Sequence, residues 1–209
     1  MLILILISCS NAGKKSTESK VDDEFESETD STKTDLTNYT REWLEYNYVN
    51  KNILERFEIY ISDKNDTIGF QKLVFKNNKL DTTQSTFYDL KADFLKDSTL
   101  RGSLKVYLED DIKIKSPLIQ KEIKLSFAQN YNNKREIVEF KSVNSNYIDF
   151  EFKNNSDTLM GLLILHRQFD TIVDDEEMVR FIETMIPVDN KVQTDNVFIH
   201  AFELNKNER

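Results

Sequence analysis

Short apolar runs of period two, cut at regular intervals by asparagine and aspartate, constrain this chain more than any other feature. Phe57, Ile59 and Ile61 alternate with Glu58 and Tyr60. Leu104, Val106 and Leu108 alternate with Lys105 and Tyr107. Ile123, Leu125 and Phe127 alternate with Lys124 and Ser126, and Ile148, Phe150 and Phe152 with Asp149 and Glu151. Near the end, Phe198, Phe202 and Leu204 share a strand face with His200. Side chains of a strand point to opposite faces in turn, so each run predicts one face in a core and one in water. β-Branched and aromatic residues dominate the runs, as strands prefer.

The breaks between runs are turn chemistry: "DKND" (63–66), "KNNK" (76–79), "QNYNNK" (129–134), "VNSN" (143–146) and "KNNSD" (153–157). The chain has only four Gly and two Pro. Asn and Asp tolerate left-handed φ and hydrogen bond their own backbone, so they replace Gly in hairpins. Turns at this spacing predict an all-β domain, an antiparallel sandwich or barrel, with at most one or two short helices. "LMGLLILH" (159–166) is apolar on both faces and reads as a central strand, with Gly161 marking a bulge or a close approach. "FQKLVFKNNKLDTTQSTFYDL" (70–90) reads as two linked hairpin strands. Strands alternating with long helices are not evident, which argues against a parallel α/β sheet.

Two segments read either way. Residues 40–57 suit a short helix capped by Thr40, or a strand carrying Leu44, Tyr46 and Tyr48. Residues 174–187 place acidic residues ahead of Met178, Ile182 and Met185 at helical spacing, which suits a helix start. The rival is a strand ending at Pro187 and pairing with 197–204, and strand is preferred from Arg180 onward.

At 209 residues the chain holds one domain plus a tail. Its net charge of −9, with no basic stripe, excludes nucleic acid as an expected partner. A single cysteine permits no internal disulfide and no Cys-rich zinc site.

That cysteine follows an apolar opening. Leu2 to Ile7 are all Leu or Ile. As a helix they span about 10 Å against a hydrocarbon core of about 30 Å, so they do not cross a membrane. The tetrad Leu6-Ile7-Ser8-Cys9 resembles the lipobox of bacterial lipoproteins: a branched aliphatic, a tolerant position, a small residue, then cysteine. The resemblance covers residues 1–9, and no Lys or Arg precedes the apolar run, where the family carries a basic segment. It implies that the Cys9 thiol is alkylated by diacylglycerol, that residues 1–8 are removed as a signal peptide, and that the new amino terminus is acylated. Such a chain is anchored through lipid at the cell envelope. One acyl chain binds a membrane marginally, whereas two or three hold it. Ser10 and Asn11 lack the Asp-type retention signal of that family, which points to the outer membrane rather than the inner.

Residues 9–38 then read as a lipidated cysteine followed by a disordered acidic tether. Ala12, Val21, Phe25 and Leu36 are the only apolar side chains from Ser10 to Thr37, too few to offset ordering entropy. Such a linker reaches on the order of 30 Å. The folded domain is expected over 39–209.

Chemistry-bearing motifs are sparse. There is no G-x-S-x-G, no phosphate-binding glycine loop and no H-E-x-x-H. His166 and His200 each sit in an apolar run, which suits structural histidines. Glu109-Asp110-Asp111 and Asp174-Asp175-Glu176-Glu177 match no calcium-loop spacing and suit solvated turns. No catalytic residue, metal site or cofactor is expected. Triplets beginning at Asp66, Asp81, Asp97, Asp157 and Asp170 resemble the O-glycan acceptor sequence of some Bacteroidetes envelope proteins. Tyr60, Tyr107 and Tyr147 are expected either as outward contact area for a protein or glycan partner, or as half-buried cross-strand pairs. The expected function is a binding or structural module. A small envelope hydrolase and an immunity or inhibitor lipoprotein, whose acidic charge suits a basic partner, are the alternatives.

Overall fold

A computed structural model describes residues 38–64, 66–109, 114, 116–132, 134–173 and 176–204. The apolar opening, Cys9 and nearly all of the tether therefore lie outside the described residues, as do Asp110, Asp111, Asp174 and Asp175. The fold is all-β and antiparallel throughout, with one short helix among the described residues. The strands are β1 (Tyr39–Tyr48), β2 (Ile53–Ser62), β3 (Thr67–Lys76), β4 (Lys79–Leu80), β5 (Phe87–Phe94), β6 (Thr99–Tyr107), β7 (Leu118–Tyr131), β8 (Lys134–Val143), β9 (Tyr147–Lys153), β10 (Met160–Val173), β11 (Glu176–Asp189) and β12 (Gln193–Thr194); helix α1 is Val197–Leu204.

Three sheets form: β12-β1-β2-β3-β4, β11-β10-β7-β8 and β5-β6-β9. The core lies between the second and the third. Leu100, Leu104 and Val106 of β6 and Ile148, Phe150 and Phe152 of β9 meet Ile123, Leu125 and Phe127 of β7 and Leu163 and Leu165 of β10. These are the inward sets of the period-two runs. β10 is central in its sheet, between β11 and β7. A Cβ on Gly161 would stand 2.6 Å from the Phe127 ring and 2.7 Å from the Ser126 carbonyl oxygen, so this glycine marks a close approach. A smaller cluster of Tyr39, Tyr60 and Ile199 packs with Ile68 and Phe70, and Phe70 also touches the main core.

The asparagine turns carry the backbone that glycine usually supplies. Asn52, Asn77, Asn78, Ser98, Asn132 and Asn144 have positive φ, and no described glycine does. Asn77 and Asn78, with φ of 52° and 59°, form the two-residue link between β3 and β4, as a type I′ hairpin requires. The 70–90 segment gives that hairpin and then, through a single bridge between Lys72 and Thr86, enters β5.

Residues 40–57 form β1, a 3₁₀ turn over Val49–Lys51, and the start of β2, not a helix. Residues 176–189 form a strand along their whole length, past Pro187, and pair with β10 rather than with 197–204. Residues 197–204 are helical, which corrects the strand expected there. Phe198 and Phe202 are spaced for one helix face as well as for alternate strand positions, and the signal ahead of them decides. The Asn196 side-chain oxygen accepts a hydrogen bond from the Phe198 N–H at 3.0 Å, the bond of a helix N-cap. Among the described residues no helix is long and apolar enough to cross a membrane.

Candidate functional site

β2 departs from simple alternation. Glu58 and Tyr60, expected in water, are fully buried, while Ile59 on the other face is also covered. The register sets Tyr60 opposite Arg41 on β1, and a bulge between Phe57 and Ile59 lets Gln71 of β3 reach Glu58. The far end of β11 and the segment before α1 supply the rest of the cluster.

Its polar atoms are paired one by one. Arg41 Nε donates to Glu58 Oε1 at 2.5 Å, and its Nη1 donates to the Asp189 carbonyl at 3.0 Å. Gln71 donates to Glu58 Oε2 at 2.7 Å and accepts from the Tyr88 N–H at 3.1 Å. Asp189 accepts from Thr194 Oγ1 at 2.7 Å, from Asn196 Nδ2 at 2.9 Å and from the Tyr60 hydroxyl at 3.0 Å. Asn196 also donates to the Gly161 carbonyl. Both oxygens of each carboxylate are thus engaged.

Burial dominates the electrostatics. It pushes the Glu58 carboxyl above its ordinary value against the pull of Arg41 and Gln71. It also raises Asp189, against its three donors and Arg41. Burial works against the Arg41 charge as well, yet Glu58 more than restores it and the guanidinium rises. The two partners do not mirror each other because Arg41 keeps 20% of its side chain exposed while Glu58 keeps none, so the loss of solvation falls more heavily on the carboxylate. Tyr60 and Tyr88 are both raised, first by burial and then by the adjacent carboxylates.

Shifted, convergent carboxylates are an active-site signature when a cleft reaches them. Here they face only protein. Open depressions of about 490, 540 and 580 Å³ lie elsewhere, around Asn52 and Phe75, around Pro117 and Met178, and around Leu118 and Phe169, and neither Glu58 nor Asp189 lines them. The arrangement joins β1, β2, β3, β11 and the α1 approach, with Glu58 and Asp189 both buried.

The histidines are not brought together at one site. His166 on β10 brings its Nδ1 to 3.2 Å from the Glu183 carboxylate across the β10–β11 pair. His200 is on α1, its ring edge-on to Tyr39, with Nδ1 at 3.4 Å from the tyrosine hydroxyl. Among the described residues no group of three His, Cys, Asp or Glu side chains is placed to hold a metal ion. Glu109 pairs with Lys72 at 3.1 Å, and Glu176 and Glu177 open β11. Of the three tyrosines, Tyr60 is buried, which corrects the outward position considered for it. Tyr107 is half-buried and stacks on its cross-strand partner Phe87 at 4.6 Å, and Tyr147 is exposed and donates to Asp149 at 2.6 Å. Two Asp-led triplets are local turns: Asp81 accepts from Thr83 and Asp97 from Thr99.

Sequence reading missed the Arg41–Glu58–Asp189 cluster because Glu58 lies 17 residues from Arg41 and Asp189 lies 148 residues from it. One signal was present: Glu58 interrupts an otherwise apolar stretch, Phe57 to Ile61, in which both faces carry large side chains.

The described fold is therefore an antiparallel all-β domain held by a closed polar cluster. No family model matches the chain, and no curated protein or solved structure matches it either.

Proposed function

We propose that this chain is a lipid-anchored cell-envelope lipoprotein, with the β domain as a binding or structural module held off an outer membrane by the segment after Cys9. The observation that carries the anchoring is the tetrad Leu6-Ile7-Ser8-Cys9, with its single thiol placed where a lipobox has one. A thiolate is the side-chain nucleophile suited to forming a thioether. For the domain, two observations favour binding over catalysis. The convergent carboxylates are saturated and buried. In contrast, large apolar side chains such as Tyr46, Ile137 and Phe181 stand half or more exposed on strand surfaces. An exposed strand surface with such residues suits a protein or glycan partner.

The test is metabolic labelling with an alkynyl fatty acid in a bacterial host that processes lipoproteins. A labelled band from the wild-type chain and none from Cys9→Ala is the expected result, with the Cys9→Ala chain leaving the membrane fraction. Equal labelling of both chains overturns the anchoring.

A further inference from the structure

The four-stranded sheet leaves two long edges, and the two are complementary. β11 ends it on one side and β8 on the other. Among the described residues, no backbone group of 134–143 or 176–187 bonds outside its own hairpin. The five-stranded sheet, by contrast, is blunted at both edges by the two-residue strands β4 and β12, a common protection against edge pairing. β8 runs for ten residues, and β11 for fourteen with its only proline at Pro187. Residues 134–137 and 176–181 are exposed on both faces. Because β7 and β10 are antiparallel neighbours, these two arms project from opposite ends of the sheet.

We infer that β11 of one copy of this chain takes β8 of a second copy as an added antiparallel strand. Three observations select that occupant. First, the edges differ in charge: Glu176–Thr184 holds three glutamates and one arginine, whereas Lys134–Val143 holds two lysines and one arginine against two glutamates. Unlike edges attract, and two β11 edges repel. Second, the sheet has an even number of antiparallel strands, so its edges run in opposite directions. A second copy in the same orientation brings its β8 antiparallel to β11 with the solvent faces matched. Third, one register matches three of the four residue pairs on that face, the fourth being Val179 opposite Glu139. It sets Glu177 opposite Lys141, Phe181 opposite Ile137 and Glu183 opposite Arg135. Phe181 and Ile137, 70% and 65% exposed, then cover each other. A contact between unlike surfaces is head-to-tail, so it adds copies along one sheet, as an open chain or as a ring where the rotation closes.

This names a partner for the binding module proposed above and rests on that reading, although not on lipidation of Cys9. The test uses the full 209-residue chain in mild detergent, carrying Cys9→Ser so that introduced thiols stand alone. Phe181→Cys chains are mixed with Ile137→Cys chains under mild oxidation. The expected result is a disulfide-linked pair from the mixture, well above what either variant forms by itself or what Phe181→Cys forms with Val143→Cys. Adding Glu177→Lys and Glu183→Lys to the first chain lowers the yield on the order of tenfold. Lys141→Glu and Arg135→Glu in the second restore it. Self-linking of Phe181→Cys at the level of the mixture overturns the inference in favour of a two-fold β11 pair. The absence of any linked product overturns self-association altogether. Recovery of a different envelope protein by affinity capture in that case leaves the binding module standing, so the two readings fail separately.

Discussion

Glu58 is held by Arg41 and Gln71 inside a shell that admits no water-facing oxygen. Removing one member of such a pair strands the other. Glu58→Ala is expected to cost about 3–5 kcal/mol in urea unfolding, the range for breaking a buried pair. Its pH dependence has a definite sign. A carboxyl whose folded pKa is raised binds its proton more readily in the native state. The stability it contributes is complete below the ordinary carboxylate range and is lost as pH rises through the folded value. Wild type measured against Glu58→Gln should therefore lose ground from about pH 4 upward, and a flat difference across that range contradicts the assignment. Gly102 makes a second residue-scale prediction. A Cβ there would lie 2.2 Å from the Lys91 carbonyl oxygen and 2.5 Å from the Phe150 ring. Gly102→Ala should cost about 1–3 kcal/mol, read as a lower urea midpoint with an unchanged slope.

Among the elements, the hairpins were the most legible. Every predicted turn cluster falls at a strand junction, and in three of the five the residue that tolerates positive φ is written into the chain as asparagine, at Asn77 and Asn78, Asn132 and Asn144. Asn77→Val should cost about 1–2 kcal/mol, since a β-branched side chain resists the left-handed region, while Asn77→Gly should be nearly neutral in the same melt. α1 was illegible for a physical reason. Apolar residues at 198 and 202 fit both periods, and the residue that decides between them, Asn196, acts by capping rather than by patterning. Asn196 also bonds Gly161 and Asp189 in a buried setting. Asn196→Ala should thus exceed an ordinary cap loss and reach about 2 kcal/mol, with helix signal falling before the strand signal. β11 was half legible: Arg180 onward reads as strand, but its acidic start imitates a helix N-terminus, and only pairing with β10 over fourteen positions overrides that local signal.

At the scale of the whole molecule, the two-sheet core was readable because its inward residues alternate within single strands. The polar cluster was not, because it is assembled from β1, β2, β3, β11 and the α1 approach, and no local window contains it. Asp35–Arg209 forms one compact unit of its own. A chain beginning at Asp35 should therefore melt cooperatively within a degree or two of the full chain (about 0.5 kcal/mol or less), and a marked drop would assign residues 1–34 a structural role.

The pairing of β12 with the first two residues of β1 bears on how this domain would carry load. Tyr39 and Thr40 are gripped on one side by Ser62 and Ile61 and on the other by Thr194 and Gln193, and the Arg41 side chain is fastened just beyond them. Tension applied at Asn38 would meet the chain where both flanks and the Arg41–Glu58 ion pair hold it, so the first strand should resist peeling from its amino-terminal end.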